Sequence, residues 1–364
     1  MEEIRKPPRK RKTMRYMQNV IATIILSMVA FLSILFCIFL LLRSVTLERQ
    51  RDEARKKLEA MSASCVYTQD QVDQMVKDNV ESAKRDAQSG LRAQIQKSLQ
   101  DGTSLLSTVR AVFPHSIIVP EENHYAFFDI DEEIEKNPFS AEDFVKEEGK
   151  RLQYVGEDAQ VQPLTGVDVS QYQGDIDWEK VKNDSIDFAM VRAGLRKMRT
   201  GELTEDEKFR VNMDGALKAG LKVGVYFYSS AVNDAEAQEE ADYLVGLLSP
   251  YHSKISYPVA IDMELPESDN ARQVAVSREQ FTKNAQIFCE TVKKAGYEPM
   301  IYGNLKTFTM MLDVSQVNHY LTWIAYYSVP QYYPYRFSIW QYSAKGTVDG
   351  IPSEVDLNFY AAKN

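Results

Sequence analysis

The chain has 364 residues, a formal net charge of -9 and a hydrophobic fraction of 44%. That length holds one large domain plus smaller parts, and the acidic balance argues against nucleic acid as the main partner. The three cysteines, Cys37, Cys65 and Cys289, are far apart and imply no disulfide framework. Cys65 is placed either to cross-link two chains or to stay a free thiol.

Charge is uneven along the chain. Residues 1–19 crowd Arg5, Lys6, Arg9, Lys10, Arg11, Lys12 and Arg15 against only Glu2 and Glu3. Residues 20–42, VIATIILSMVAFLSILFCIFLLL, carry no charge. About 20 apolar residues cross a bilayer as a helix, and the positive-inside rule keeps the basic flank in the cytoplasm. A cleaved leader would show an apolar run of only about 7–15 residues and a small-x-small site. Here the run is longer and RSVTLERQ follows. The expectation is an uncleaved, single-pass membrane anchor with everything after Arg43 outside the cell.

Residues 43–112 are polar, charged and poor in Gly and Pro. Val72, Val76, Val80, Ala83, Ala87, Leu91, Ile95 and Leu99 recur mostly at four-residue steps, which draws one narrow apolar face of a helix. Thr68 with Gln71 has the form of a capping box. The seam is not a sustained heptad, so the expectation is a helical stalk with a face for self-association; the bland alternative is a partly disordered spacer. Residues 113–162 read as a small α/β connector. HSIIVP, HYAFFDID and RLQYVG are strand-like, and SAEDFVKEEG is helix-like with Ser140 as its cap. Asp129, Asp131, Glu132 and Glu133 form an acidic run that reads as a solvated face.

Residues 163–364 become regular. GVDVS, IDFAMVRAG, LKVGVYFYSS, YPVAIDMEL, EPMIYGN, LTWIAYY, FSIWQYS and EVDLNFY are strand-like. Between them lie the helical patterns DWEKVKND, DEKFRVNMDGALKAG, DAEAQEEADYLVGLL and REQFTKNAQIFCETVKKAG. Gly220 and Gly296 stand where a helix end favours a left-handed residue, and Ser277 with Gln280 marks a helix start. Alternating strands and helices imply a parallel α/β arrangement. Roughly eight strand candidates fit an irregular (β/α) TIM-like barrel, with helices short or absent after Gly296.

The stretch YPVAIDMEL sets two acids, Asp262 and Glu264, into an apolar strand. Residues two apart in a strand face the same side, and barrel sites form at the C-terminal ends of strands. Asp168 in GVDVS and Asp356 in EVDLN sit in the first and last strands, which closure brings together. Crowded carboxylates in a low-dielectric cleft raise one another's pKa, so one stays protonated near neutral pH. A general acid for glycoside cleavage needs that state. Clustered carboxylates also suit Mg²⁺ or Ca²⁺. No His stands beside them, which weakens zinc or iron, and neither a nucleophile elbow nor a phosphate-binding glycine loop is present. Aromatics crowd the same strand ends, among them Tyr226, Tyr228, Tyr302, Trp323, Tyr326, Tyr327, Trp340 and Tyr342. Flat rings with a polar edge suit sugar faces, and Tyr226, Tyr228, Trp323, Tyr327, Trp340 and Tyr342 are the candidate substrate-binding residues.

At these residues the chain resembles the glycoside hydrolase family 25 lysozymes, the Chalaropsis-type muramidases. The carrying motifs are GVDVSQYQGDIDW, IDFAMVRAG, KAGLKVGVYFYSSA, the DME of YPVAIDMEL, LTWIAYY and WQYSAKGTVDGIPSEVDLN, over about residues 164–360. The resemblance implies an irregular α/β barrel that cleaves the β-1,4 bond between N-acetylmuramic acid and N-acetylglucosamine in peptidoglycan, without a cofactor or metal. It implies Glu264 as general acid and Asp262 as the residue that stabilises or orients the substrate's N-acetyl group. Asp168 and Asp356 would tune charge and hold the cleft. Direct inversion and substrate assistance both stay open. Met263 stands where valine or tryptophan is often found. With the anchor, the expectation is an enzyme tethered to the outer face of a bacterial membrane; the alternative is a non-catalytic wall-binding module of the same fold.

Overall fold

The computed structural model describes residues 10–64, 68–147, 149–158, 160–265 and 270–363. Cys65, and the PESD segment after Leu265, lie outside them. The chain divides into two compact units, Met1–Gln96 and Lys97–Asn364.

The first unit is helical. Helix α1 (Lys10–Ser64) contains a segment with a mean hydropathy of 3.0, long and apolar enough to cross a membrane. Helix α2 (Gln69–Gln100) starts at the expected capping box: the Thr68 N–H donates to Gln71 Oε1 at 2.9 Å, and the Gln71 N–H donates to Thr68 Oγ1 at 3.3 Å. Two of the four orphan donors of the helix start are thereby satisfied.

The second unit opens with α3 (Leu105–Val112), capped by Ser104. Composition grouped α3 with the stalk, but it packs on β1 (Ser116–Pro120), which pairs antiparallel with β2 (Tyr125–Asp129). The helix expected at SAEDFVKEEG is only a turn at Ala141–Asp143, followed by β3 (Phe144–Val145) paired with β4 (Gln153–Tyr154). Tertiary packing overrides propensity there. Phe144 is needed in a cluster of edge-to-face rings with Phe139, Tyr154, Trp340 and Phe359, and an extended chain delivers it.

The barrel follows. Its strands are β5 (Val161–Val169), β6 (Phe188–Arg196), β8 (Lys222–Tyr228), β9 (Val259–Asp262), β10 (Pro299–Asn304), β11 (Leu321–Ala325), β12 (Ile339–Gly346) and β13 (Val355–Lys363), with the short β7 (Leu203–Glu205) on β6. The order β5-β13-β12-β11-β10-β9-β8-β6 closes through β5–β6 pairing into eight strands. Helices α4 (Trp178–Asn183), α5 (Phe209–Lys218), α6 (Asp234–Leu248) and α7 (Arg278–Lys294) cover the first half. Gly220 and Gly296 follow helix ends with φ of 77° and 88°, as their positions required. After Asn304 only short turns and a long β11–β12 loop remain, so the barrel is irregular as expected.

One of the eight barrel strands departs from the parallel arrangement. β13 runs antiparallel to both β12 and β5. The β12–β13 connection, residues 347–354, is too short for a parallel crossover, which needs about a dozen residues or more.

Alternation divides the core in two. Phe188, Met190, Ala260, Met300, Trp323 and Ile339 fill the barrel interior. Val191, Val225, Ile261 and Ile324 face the helices and outer layers, in one cluster with Phe288 of α7. Gly166 is required on β5, because a Cβ there would run into the Phe188 ring on the neighbouring strand.

Candidate active site

The inward-facing residues change from apolar to polar at the C-terminal ends of the parallel strands. There Asp168, Arg192, Tyr226, Asp262, Tyr302, Trp323 and Gln341 meet Asp356 around a cavity of about 250 Å³. All four predicted acids line it. A larger groove of about 410 Å³, lined by Leu321, Thr322, Tyr333 and Ser338 beside Glu135, gathers no such carboxylates.

Closure and strand direction together explain how Asp168 and Asp356 meet. Asp168 is near the end of β5 and Asp356 near the start of β13, and the antiparallel register sets them opposite one another. Their carboxyls hydrogen-bond to each other. Asp168 is 5% exposed, and its Oδ2 accepts from Asn358 Nδ2 at 2.7 Å and Gln341 Nε2 at 2.9 Å. Burial pushes its pKa up to about 6 against those two amide donors. Asp356 is pushed up to about 8, by burial first and then by the charge of Asp168. Like charges this close cannot both ionise easily, so the two carboxyls hold a proton between them near neutral pH.

Asp262 is the last residue of β9, so Glu264 lies just past the strand end rather than within it. Both still reach the cavity. The segment between them is pinned by its backbone. The Asp262 carbonyl accepts from the Ser229 N–H at 3.0 Å, the Met263 N–H donates to the Tyr302 carbonyl at 3.1 Å, and the Met263 carbonyl accepts from Thr307 Oγ1 at 2.9 Å. Met263 is buried away from the cavity, as its parity predicted. Asp262 is buried, and among the described residues its Oδ1 has no hydrogen-bond partner. Burial raises its pKa well above the usual carboxylate range; Glu264 and Asp168 add to the rise, and Arg192 opposes it.

Several residues that hold this site escaped the sequence reading. Gln341 Oε1 accepts from Tyr302 at 3.0 Å and Tyr327 at 2.8 Å while its amide donates to Asp168. Asn358 accepts from Trp323 Nε1 at 2.8 Å and donates to the same carboxylate. Each amide thus has its orientation set by a ring donor on the far side. Arg192 pairs with buried Asp206 at 2.7 Å, and its guanidinium lies 5.0 Å from the Tyr172 ring. A lone charge in the apolar strand FAMVRAG was a signal of the same kind as Asp262.

The candidate substrate-binding aromatics divide. Tyr226, Trp323 and Tyr327 line the cavity. Tyr228 is not among the lining residues; its hydroxyl is 3.3 Å from Met198 Sδ. Trp340 and Tyr342 are not brought to the cavity at all. Gln341 faces inward on β12, so its two neighbours must face outward, where they are buried near each other and Trp340 packs on Phe144. Among the described residues no group of three or more His, Cys, Asp or Glu side chains is arranged to hold a metal ion.

Known proteins resemble this chain. The model of glycosyl hydrolases family 25 matches residues 167–351, half of the chain. The uncharacterized protein YegX of Escherichia coli K12 is 27% identical over 199 residues, covering 54% of this chain and 69% of that one. The autolytic lysozyme of Clostridium acetobutylicum is also 27% identical, and the match covers 56% of it. Among solved structures, the modular autolysin LytC of Streptococcus pneumoniae shares the fold, with a TM-score of 0.51 at 22% identity over 67% of this chain and 57% of that one. This chain therefore spans just over half of the lysozyme and of the autolysin. An eight-stranded barrel with four acids at one mouth, and a family model that matches half of the chain, make the chain a glycoside hydrolase of family 25.

Proposed function

We propose that the protein is a membrane-tethered muramidase, cleaving the β-1,4 bond between N-acetylmuramic acid and N-acetylglucosamine in peptidoglycan. The observation that carries this reading is the convergence of Asp168, Asp262, Glu264 and Asp356 on one cavity of a family 25 barrel. LytC, which shares the fold, has a structure in complex with a synthetic peptidoglycan ligand, which supports the substrate class.

Glu264, at the rim, is the general acid. It protonates the leaving glycosidic oxygen, and water supplies the hydroxyl that ends on the anomeric carbon. Burial, with Glu264 and Asp168 beside it, holds the Asp262 pKa well above the usual carboxylate range, and Glu264 is the group that delivers a proton to the leaving oxygen. Asp262, deeper and beside Arg192, orients the 2-acetamido group. Asp168 and Asp356 hold the floor of the cleft at reduced charge. Tyr226, Trp323 and Tyr327 are the wall on which a sugar ring lies. The resting structure favours neither direct water attack nor prior attack by the acetamido oxygen.

The domain plan proposed is a basic cytoplasmic tail (1–19), a transmembrane helix (20–42), a helical stalk (43–112) with a self-association face, a connector (113–162) and a TIM-like catalytic barrel (163–364). The apolar segment of α1 supports the anchor. The enzyme then works on the outer face of the membrane.

The test is digestion of purified peptidoglycan followed by mass spectrometry of the fragments. Products with reducing N-acetylmuramic ends are expected. Glu264→Gln should lower their release by about 10²–10⁴-fold, the usual contribution of a general acid, with the melting temperature unchanged. Wild-type turnover in that variant sinks the assignment. Binding to the wall with no cleavage by the native protein supports the non-catalytic alternative.

A further inference from the structure

The β11–β12 loop, residues 326–338, is long and has no regular structure of its own. Loops of that length inside a compact domain are uncommon and usually functional. This one begins with Tyr326 and Tyr327, and Tyr327 is a cavity wall residue that is 53% exposed. A half-exposed ring on such a loop is useful for binding only if something fixes its backbone.

Part of what fixes it comes from outside the barrel, through the side chains of the loop. Arg110, on α3, donates from Nη1 to the Tyr326 hydroxyl at 2.7 Å and from Nη2 to the Ile118 carbonyl at 3.1 Å. Its guanidinium lies 3.4 Å from the centre of the Tyr332 ring. Tyr332 is held in turn by β1: its hydroxyl donates to the Ser116 carbonyl at 2.9 Å and accepts from the Ile118 N–H at 3.0 Å. The Tyr335 hydroxyl accepts from the Asp131 N–H at 2.8 Å. A second tie reaches the neighbouring loop, where Glu121 pairs with Lys306 at 3.0 Å, next to the Thr307 that holds the Met263 carbonyl.

Tyr326 is therefore clamped at three points. Arg110 holds its hydroxyl, its N–H donates to the Gln341 carbonyl at 3.0 Å, and its carbonyl accepts from Trp340 Nε1 at 2.6 Å. Tyr327 follows directly and bonds Gln341 Oε1, one hydrogen bond from Asp168.

The geometry points to the segment that precedes the barrel, α3 together with the connector, as a working part of the catalytic cavity, with Arg110 a positioning residue that acts through Tyr326 and Tyr327. This inference rests on the muramidase reading for its substrate, a β-1,4-linked amino-sugar chain. Residues 105–160 lie outside the segment matched by the family model, so this brace is built by the chain's own extension. A planar cation suits the task, since it stacks on one tyrosine while bonding another.

The experiment uses the full chain in detergent with soluble, un-cross-linked glycan strands, measuring kcat, KM and, from tryptophan fluorescence, the Kd. Arg110→Ala should raise KM and Kd about tenfold, the scale of a displaced binding wall, and leave kcat within about twofold. Arg110→Lys should recover part of the loss. In a Tyr327→Ala background, Arg110→Ala should add almost nothing. Unchanged KM and Kd in Arg110→Ala, or effects that multiply with Tyr327→Ala, overturn the inference, because a merely structural residue would act independently of Tyr327. If Arg110→Ala does not fold, Tyr326→Phe removes only the hydroxyl and must still weaken binding about threefold, the scale of one lost hydrogen bond; wild-type affinity there overturns it. Native protein that binds the glycan without cleaving it sinks the muramidase reading alone, and the Kd series still decides the role of Arg110. Native protein that neither binds nor cleaves sinks both.

Discussion

Replacing Asp356 by Asn should make the protein more stable, and increasingly so as the pH rises. Asp356 is pushed up to about 8 by burial and by the charge of Asp168, against about 3.9 for an unfolded Asp. Its stability contribution is thus fully present below about pH 4, where it is protonated in both states, and is lost as the pH climbs through about 8. Four pKa units correspond to about 5–6 kcal/mol. That cost is burial first and the charge of Asp168 second, and because the pair titrates together, removing one partner should release roughly half, about 2–3 kcal/mol. The Asn amide can still donate to Asp168, so the contact survives the change. For a unit of this size each kcal/mol moves Tm by about 2–4 °C. Thermal melts of the two proteins from pH 4 to pH 9 should then diverge from near zero to about 5–10 °C. A gap that stays flat with pH, or a variant less stable at pH 9, refutes the reasoning that this pair is strained by its charge.

Other outcomes follow from the same contacts. Asn358→Leu should leave Trp323 Nε1 without its acceptor in the core, costing about 1–3 kcal/mol in denaturant unfolding. It should also raise the pKa of Asp168 above its present value of about 6, because a donor to the ionised form is gone; a titration by NMR reads this directly. Gly166→Ala should force the Phe188 ring aside inside the barrel, costing about 1–3 kcal/mol, and adding Phe188→Leu should restore much of the lost Tm. An additive loss in that double variant would contradict the close approach.

The legible part of this protein was charge set against an apolar background. Asp168, Asp262 and Asp356 stood out because a strand core rarely holds a carboxylate, and the cavity gathers them with Glu264. Arg192 carried the same signal in FAMVRAG. Gln341 and Asn358 did not, since a neutral amide in a strand is unremarkable until its partners are known. Trp340 and Tyr342 were expected at the cavity because aromatic residues fit sugars. Parity decides otherwise, as Gln341 between them is the residue that turns inward. The direction of β13 was readable only from the shortness of residues 347–354. The turn at Ala141–Asp143 was not readable at all, because the pull on Phe144 comes from Trp340 and Phe359, about 200 positions away.

The reversed last strand has a practical consequence for anything joined to this barrel. Val161, where the chain enters, pairs in register with Lys363, where it leaves. Both points lie at the end of the barrel away from the carboxylates, whereas an all-parallel barrel would send its last strand out beside them. Whatever follows residue 364, a natural module or an engineered reporter, emerges behind the cavity. Entry and exit share one doorway, and the working mouth is left clear of both.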